Sequence, residues 1–177
     1  MNEGKKYDKE KFKDLIHYIV YKCKDKEIGR TVLYKLLYFS DFNYYELYEI
    51  SMTGMKYYHK QNGPIPDTIK FNEAIEELNA EGRIQEKKTK IINYNKYIYN
   101  PLKEPKTNFN NKEINVIEEN ILKLSNMSSR KISAYSHGDK PWRLSDDQEE
   151  INYEAVFYRN ENYSVRDYGE EYWKLFI

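Results

Sequence analysis

The residues with chemistry to offer are few and scattered. Ser136 and His137 stand side by side with Asp139 two positions on, the three residue types of a nucleophilic triad. A triad is a spatial arrangement, and adjacent side chains on a helix or turn diverge, so this run is read as a false friend. Histidine occurs at 17, 59 and 137 and cysteine only at 23, with none of the spacings of a metal site, so no metal and no cofactor is expected. Neither GxGxxG nor GxxxxGKS/T occurs, which removes both phosphate-cradling signatures. Asp146-Asp147 and Glu149-Glu150 form an acidic run of the kind that makes a solvated face and not an acid–base pair. Lys87, Lys88 and Lys90 lie close to Tyr94, Tyr97 and Tyr99. Such a mixture either grips a single nucleic-acid strand or forms an exposed hairpin whose edge lysines oppose aggregation, and the second is commoner. Asp41 is the lone acid in the most apolar stretch and, if buried, needs a backbone amide or a lysine as partner. No residue is assigned a catalytic role, and the chain is expected not to be an enzyme.

The elements that must position these residues follow from hydrophobic spacing. Phe12, Leu15, Ile16, Ile19, Val20 and Cys23 fall on one face of a helix, with Cys23 as a small core residue and His17 one step off the stripe at the boundary. Gly29 ends that helix. From Thr31 to about Tyr48 the chain is apolar nearly all round, through Val32, Leu33, Leu36, Leu37, Phe39 and Phe42, which predicts a central helix packed on several sides. Residues 51–60 suggest a short strand or extended segment, and Gly63-Pro64-Ile65-Pro66 a rigid turn. Asp67 looks like the N-cap of a helix running to about Asn79. Residues 83–100 read as a hairpin turning at Thr89-Lys90 or Asn95-Lys96. Pro101 and Pro105 begin a linker, and Asn110 with Glu113 resembles a capping box before a helix carrying Ile114, Ile117, Ile121 and Leu124. Ser128 or Ser129 caps a shorter helix leading to His137. Residues 151–158 are expected to be extended, and Asp167 to cap a last helix.

At 177 residues the chain is long enough for one compact domain. Its 29 basic and 29 acidic residues cancel, which argues against a nucleic-acid binder or a DNA-binding autorepressor. The charge is uneven: residues 139–177 carry five basic against ten acidic side chains, either to face a basic partner or as a solvated tail. The 19 tyrosines fill and rim the core, follow from compositional drift or, in a minority, serve an interface. A single cysteine, no leader-like apolar run and no membrane-length apolar window lead to the expectation of a soluble cytoplasmic protein without membrane contacts.

Two stretches are more specific than composition explains: YKLLYFSDFNYYELYEISMTGMKYYHKQNGPIPDTI, from Tyr34 to Ile69, and KISAYSHGDKPWR, from Lys131 to Arg143. In order and spacing they resemble the Panacea domain of SocA-like antitoxins, a family also met among phage-associated proteins. The residues that carry the resemblance are Lys35, Leu36, Leu37, Tyr38, Phe39 and Asp41, then Gly63 and Pro64, then Ser133, Ser136, His137 and Trp142. It spans roughly residues 10–158. Ser40 stands where the family usually has alanine, the family's basic and glycine-containing loop is lacking over 44–51, and nothing after about 160 matches.

The resemblance implies a mainly helical α+β fold, one compact domain with a small hairpin or sheet. The expected division is a Panacea domain over 1–160 and a C-terminal aromatic, acidic segment over 161–177. It also implies an antitoxin that neutralises a cognate toxin protein by direct binding. That toxin could be an alarmone-synthetase-like enzyme acting on tRNA, with its active site occluded. Alternatives are an adaptor that delivers its toxin to a protease, or an uncharacterised small-molecule-binding enzyme with a pocket near Asp41, His137 and Gly63. Homo- and hetero-oligomers are both open. The expected toxin interface is an aromatic stripe on an acidic terminal helix, made by Tyr168, Tyr172, Trp173 and Phe176, unless that helix packs back on its own domain.

Overall fold

One helix organises the molecule. The structure, a computed structural model, describes residues 4–106 and 108–176. Helix α1 covers Lys9–Lys22, α2 Arg30–Tyr48, α3 Thr68–Ala80, α4 Asn111–Leu124, α5 Ser129–Ser136, α6 Lys140–Arg143 and α7 Glu170–Trp173. Helix α2 is apolar on most of its girth, so it can be stable only if wrapped. It packs against α1, α4, α5, both hairpins and a 3-10 segment at Tyr153–Tyr158. Leu33, Leu36, Leu37, Tyr38 and Phe42 are fully buried. Phe12, Leu15, Ile16, Ile19, Val20 and Cys23 are buried as their spacing requires.

The caps match local chemistry. Asp8 accepts from the Lys11 amide, Asp67 from Lys70 and Ser128 from Lys131. Asn110 and Glu113 form a reciprocal capping box at α4.

Two antiparallel hairpins complete the α+β fold: β1 (Tyr57–Lys60) with β2 (Gly63–Pro66), and β3 (Ile84–Ile91) with β4 (Tyr94–Pro101). Residues 63–66 are therefore a strand and not the turn the two prolines suggest. Proline is tolerated in a strand whose N–H groups are not needed by a neighbour, as in this two-stranded sheet. The second hairpin turns at Ile92-Asn93, between the paired Ile91 and Tyr94, and at neither position read from sequence. Its turn carries an isoleucine at φ +28° where Gly or Asn is the usual signal, so the signal was absent. Residues 153–158 form a 3-10 helix capped by Asn152, correcting the extended reading. Only Ile151, whose amide donates to the Tyr57 carbonyl, keeps the strand-like role. His17 is buried, not at the boundary. Its Nε2 lies 2.8 Å from the Lys103 carbonyl and its Nδ1 accepts from Arg83.

Candidate partner-binding site

The motif residues gather into three buried polar knots spaced along α2. At Lys35 the ammonium donates to the Pro64 carbonyl at 3.0 Å, its only hydrogen bond among the described residues, and burial pulls its pKa down from 10.5 to about 7. Gly63 sits against it at φ +100°, and a Cβ there would stand 2.7 Å from Lys35 Cε and 2.2 Å from Ser136 Oγ. One turn on, the Tyr38 hydroxyl donates to Asp139, which Arg159 grips through Nε and Nη2 at 2.8 Å each. The Nη1 of Arg159 reaches Asn43 and Glu46, also at 2.8 Å. Arg159, Asp139 and Glu46 have fully buried charged ends. Burial opposes the arginine's charge, but the two carboxylates outweigh it and hold its pKa above the usual value. At Asp41 the carboxylate accepts from the Thr53 amide and from the hydroxyls of Ser51, Thr53 and Tyr57. Burial raises the Asp41 pKa, and these donors work against the rise.

Asp41 thus finds a backbone amide and hydroxyls, one of the two partnerships expected of it. It is wholly buried and saturated, so it does not share a pocket with His137 and Gly63. Ser40 donates to the Leu36 carbonyl one turn back, which satisfies the hydroxyl that replaces the family's alanine. The Ser136–His137–Asp139 run is no triad: Ser136 bonds the Ser133 carbonyl and Asp139 is held by Tyr38 and Arg159. Trp142 is sandwiched between His59 and His137, at 4.1 and 4.4 Å between ring centroids, and donates to the Lys60 carbonyl. His137 and Trp142 therefore tie α5 and α6 to the first hairpin. Arg159, Glu46 and Asn43 were missed by sequence reasoning, since a lone arginine in the tail gives no sign that it closes a knot on α2. The described residues hold no cluster of His, Cys, Asp and Glu able to take a metal, and no helix is long and apolar enough to cross a membrane.

The C-terminal segment is anchored on its own domain up to Tyr168. The Tyr163 hydroxyl donates to the Tyr135 carbonyl, and its ring end lies where a Gly138 side chain would be, 2.0 Å from a Cβ built there. Ser164 and the Val165 amide bond Glu46. Tyr168 then stacks on Tyr172 at 4.6 Å and meets Trp173 edge-on at 5.6 Å. The expected terminal helix is the four residues of α7 followed directly by a 3-10 turn over Lys174–Phe176, with Gly169 at the N-cap in place of Asp167, whose carboxylate holds the Gly169 amide. Tyr168, Tyr172 and Trp173 gather into one cluster of rings. The side chain of Phe176 lies outside the described residues. Tyr172 and Trp173 line a cleft of about 620 Å³ together with Leu144, Phe157 and Tyr158 and the polar Lys140, Asn160 and Glu161. Leu144 and Tyr158 are 60 % and 70 % exposed, an apolar floor open to solvent.

These features define a small α+β scaffold in which Lys35, Tyr38, Asp41, Gly63, Pro64 and Trp142 serve internal architecture, while Ser133 and His137 line a cleft. A family model described as antitoxin SocA-like, Panacea domain matches residues 33–143, the span that holds all three motif blocks. The chain belongs to this SocA-like antitoxin family. No curated protein and no solved structure matches it.

Proposed function

We propose that this chain is a non-enzymatic antitoxin that neutralises a cognate toxin protein by direct binding, using its C-terminal aromatic cluster as the docking surface. Family membership supports the antitoxin role. The observation that carries the surface is the cluster of Tyr168, Tyr172 and Trp173 beside a cleft with the exposed Leu144 and Tyr158. Partly exposed aromatic rings around a cleft of mixed apolar and polar lining are frequent anchors of a protein interface. The division into a 1–160 domain and a 161–177 segment is part of this proposal. Residues 161–168 brace the scaffold, and the residues beyond them meet the toxin and block its active site.

The test pairs the full chain with the product of its neighbouring gene. Co-expression should relieve growth arrest caused by that product, and the two should elute together. A chain ending at Tyr168 keeps the Glu46 anchors and should fold, yet lose at least tenfold in affinity for the toxin. Undiminished rescue by this shortened chain would remove the tail from the interface. A neighbour that neither arrests growth nor binds would refute the antitoxin role. A toxin whose half-life falls on rescue would instead make the chain a protease adaptor.

A further inference from the structure

Two motif residues spend little of their polarity inside the protein. Ser133 gives only its carbonyl, to Ser136, and the buried Nε2 of His137 has no hydrogen-bond partner among the described residues. Both residues line an open cleft of about 420 Å³ that three elements build. On α5, Ser129, Ser133 and His137 stand at i, i+4 and i+8 and so share one face, with Arg130 and Ala134 beside them. Thr31 comes from the first turn of α2, and Asn62 from the turn between β1 and β2.

The side chains of this cleft behave unlike the polar groups elsewhere on the scaffold. A serine on a helix can bond back to a carbonyl three or four residues earlier, as Ser136 does to Ser133 and Ser40 to Leu36. The Ser133 hydroxyl makes no such bond. The hydroxyls of Thr31 and Ser129, the Asn62 amide and the Arg130 guanidinium are likewise without an internal hydrogen bond or ion pair among the described residues. Of the lining residues only Ala134 is apolar. A buried ring nitrogen such as His137 Nε2 rarely stays unmatched unless an outside group meets it.

The charge of the cleft selects an anion. Arg130 lines it and no carboxylate does. Helix α5 also begins here: Ser128 takes the Lys131 amide, and the amides of Ser129 and Arg130 lie in the first turn, where a helix has no acceptor of its own for them. A guanidinium with two hydroxyls one helical turn apart offers more donors than a planar carboxylate uses, and it suits the tetrahedral oxygens of a phosphate monoester. Thr31 and Asn62 can both donate and accept, as the hydroxyls of a sugar require. The cleft exceeds a phosphate ion and has the size of a small-molecule site.

We infer that this cleft binds a small sugar phosphate, with the phosphate on Arg130, Ser129 and Ser133 and the sugar hydroxyls toward Thr31, Asn62 and His137. The inference is independent of the antitoxin reading. A phosphorylated peptide carries the same phosphate but would bring apolar side chains to a wall made by Thr31 and Asn62, and it is the alternative under test.

The experiment follows the amide NMR spectrum of the ¹⁵N-labelled full chain during titration. The probes are ribose 5-phosphate, glucose 6-phosphate, the two free sugars, inorganic phosphate and a phosphoserine heptapeptide. At least one sugar phosphate should shift the amides of Asn62, Ser129, Arg130 and Ser133 at millimolar concentration or below. Inorganic phosphate should shift the α5 amides alone and bind about tenfold more weakly, and the free sugars should shift nothing. R130E/S133A removes groups without internal bonds and places an acid in the first turn of α5, so the spectrum should stay dispersed while the sugar phosphate weakens about tenfold or more. K87E, the reversal of a lysine that does not line the cleft, should leave the affinity unchanged. No shift from either sugar phosphate, shifts confined to other residues, or equal responses of the two variants would each overturn the inference. So would inorganic phosphate binding as tightly as the sugar phosphates, or the phosphopeptide binding more tightly than they do.

Discussion

Lys35 holds a charge state and Ile92 a conformation that its residue type resists, and Gly63 holds one that glycine alone takes freely. A native Lys35 amine that releases its proton near pH 7 differs from an unfolded one that holds it to 10.5. Between those values the unfolded chain binds more protons, so the Lys35 contribution to stability rises with pH above about 7 and is flat below. Cys23, pushed by burial up to about 11, and the buried tyrosines reverse the trend at higher pH, when only the unfolded chain ionises. Urea unfolding at pH 6.5, 7.5 and 8.5 should show the rise in the native protein, and Lys35→Met should flatten it; parallel curves would count against this account. Gly63→Ala places a methyl group on Ser136 and Lys35 at a positive φ and should cost about 2 kcal/mol or more, read as a drop in the urea midpoint. Ile92→Asn, by contrast, puts a residue that accepts positive φ at an exposed turn and should stabilise by roughly 0.5–1 kcal/mol, seen as a higher Tm.

Among the elements, α2 is unusual in carrying polar side chains into its most buried faces. Each is acceptable because another element delivers its partners: the Pro64 carbonyl of β2 for Lys35, the loop at 51–53 with β1 for Asp41, Asp139 for Tyr38, and the 3-10 segment's C-cap, Arg159, for Glu46. Removing one member of a buried ionic group leaves the others unpaired in a low dielectric. Arg159→Met should therefore cost about 3–5 kcal/mol in chemical denaturation, although Arg159 lies outside the family match. Tyr38→Phe deletes one hydrogen bond to a carboxylate that keeps Arg159, and should cost no more than about half as much. Equal losses from the two variants would mean that the arginine is not the centre of the knot.

At the scale of the molecule, the three knots make α2 a braced axle with a different surface at each end. The C-terminal end presents aromatic rings on an acidic segment, and the N-terminal end a groove lined by Lys26, Arg30 and Lys96. A toxin contacted at both ends would be held across roughly 24 Å, estimated from the helix rise. The two ends should then contribute independently: the chain cut after Tyr168 and K26E/K96E, tested together against the same toxin, should lose affinity additively in free energy. Strong non-additivity would place both changes on one contiguous surface.

Helix periods, caps and the family were legible in the sequence because they rest on short-range chemistry. The stripe of α1, the all-round apolarity of α2, the capping residues Asp67, Asn110 and Ser128, and the ordered motif blocks need only local spacing to be seen. The turn at Ile92-Asn93, the 3-10 segment capped by Asn152 and the Gly169 cap are local outcomes without a standard signal, and the other outcomes that differed turn on distant partners. Pro64 and Pro66 sit in a strand because Tyr57 and His59 pair with them, His17 is buried because Lys103 and Arg83 receive it, and the terminal aromatics cluster because residues 163–168 are tied to Tyr135 and Glu46. A sequence shows which groups need partners, but burial in a low dielectric makes those partnerships obligatory, and only the tertiary structure decides which residues meet.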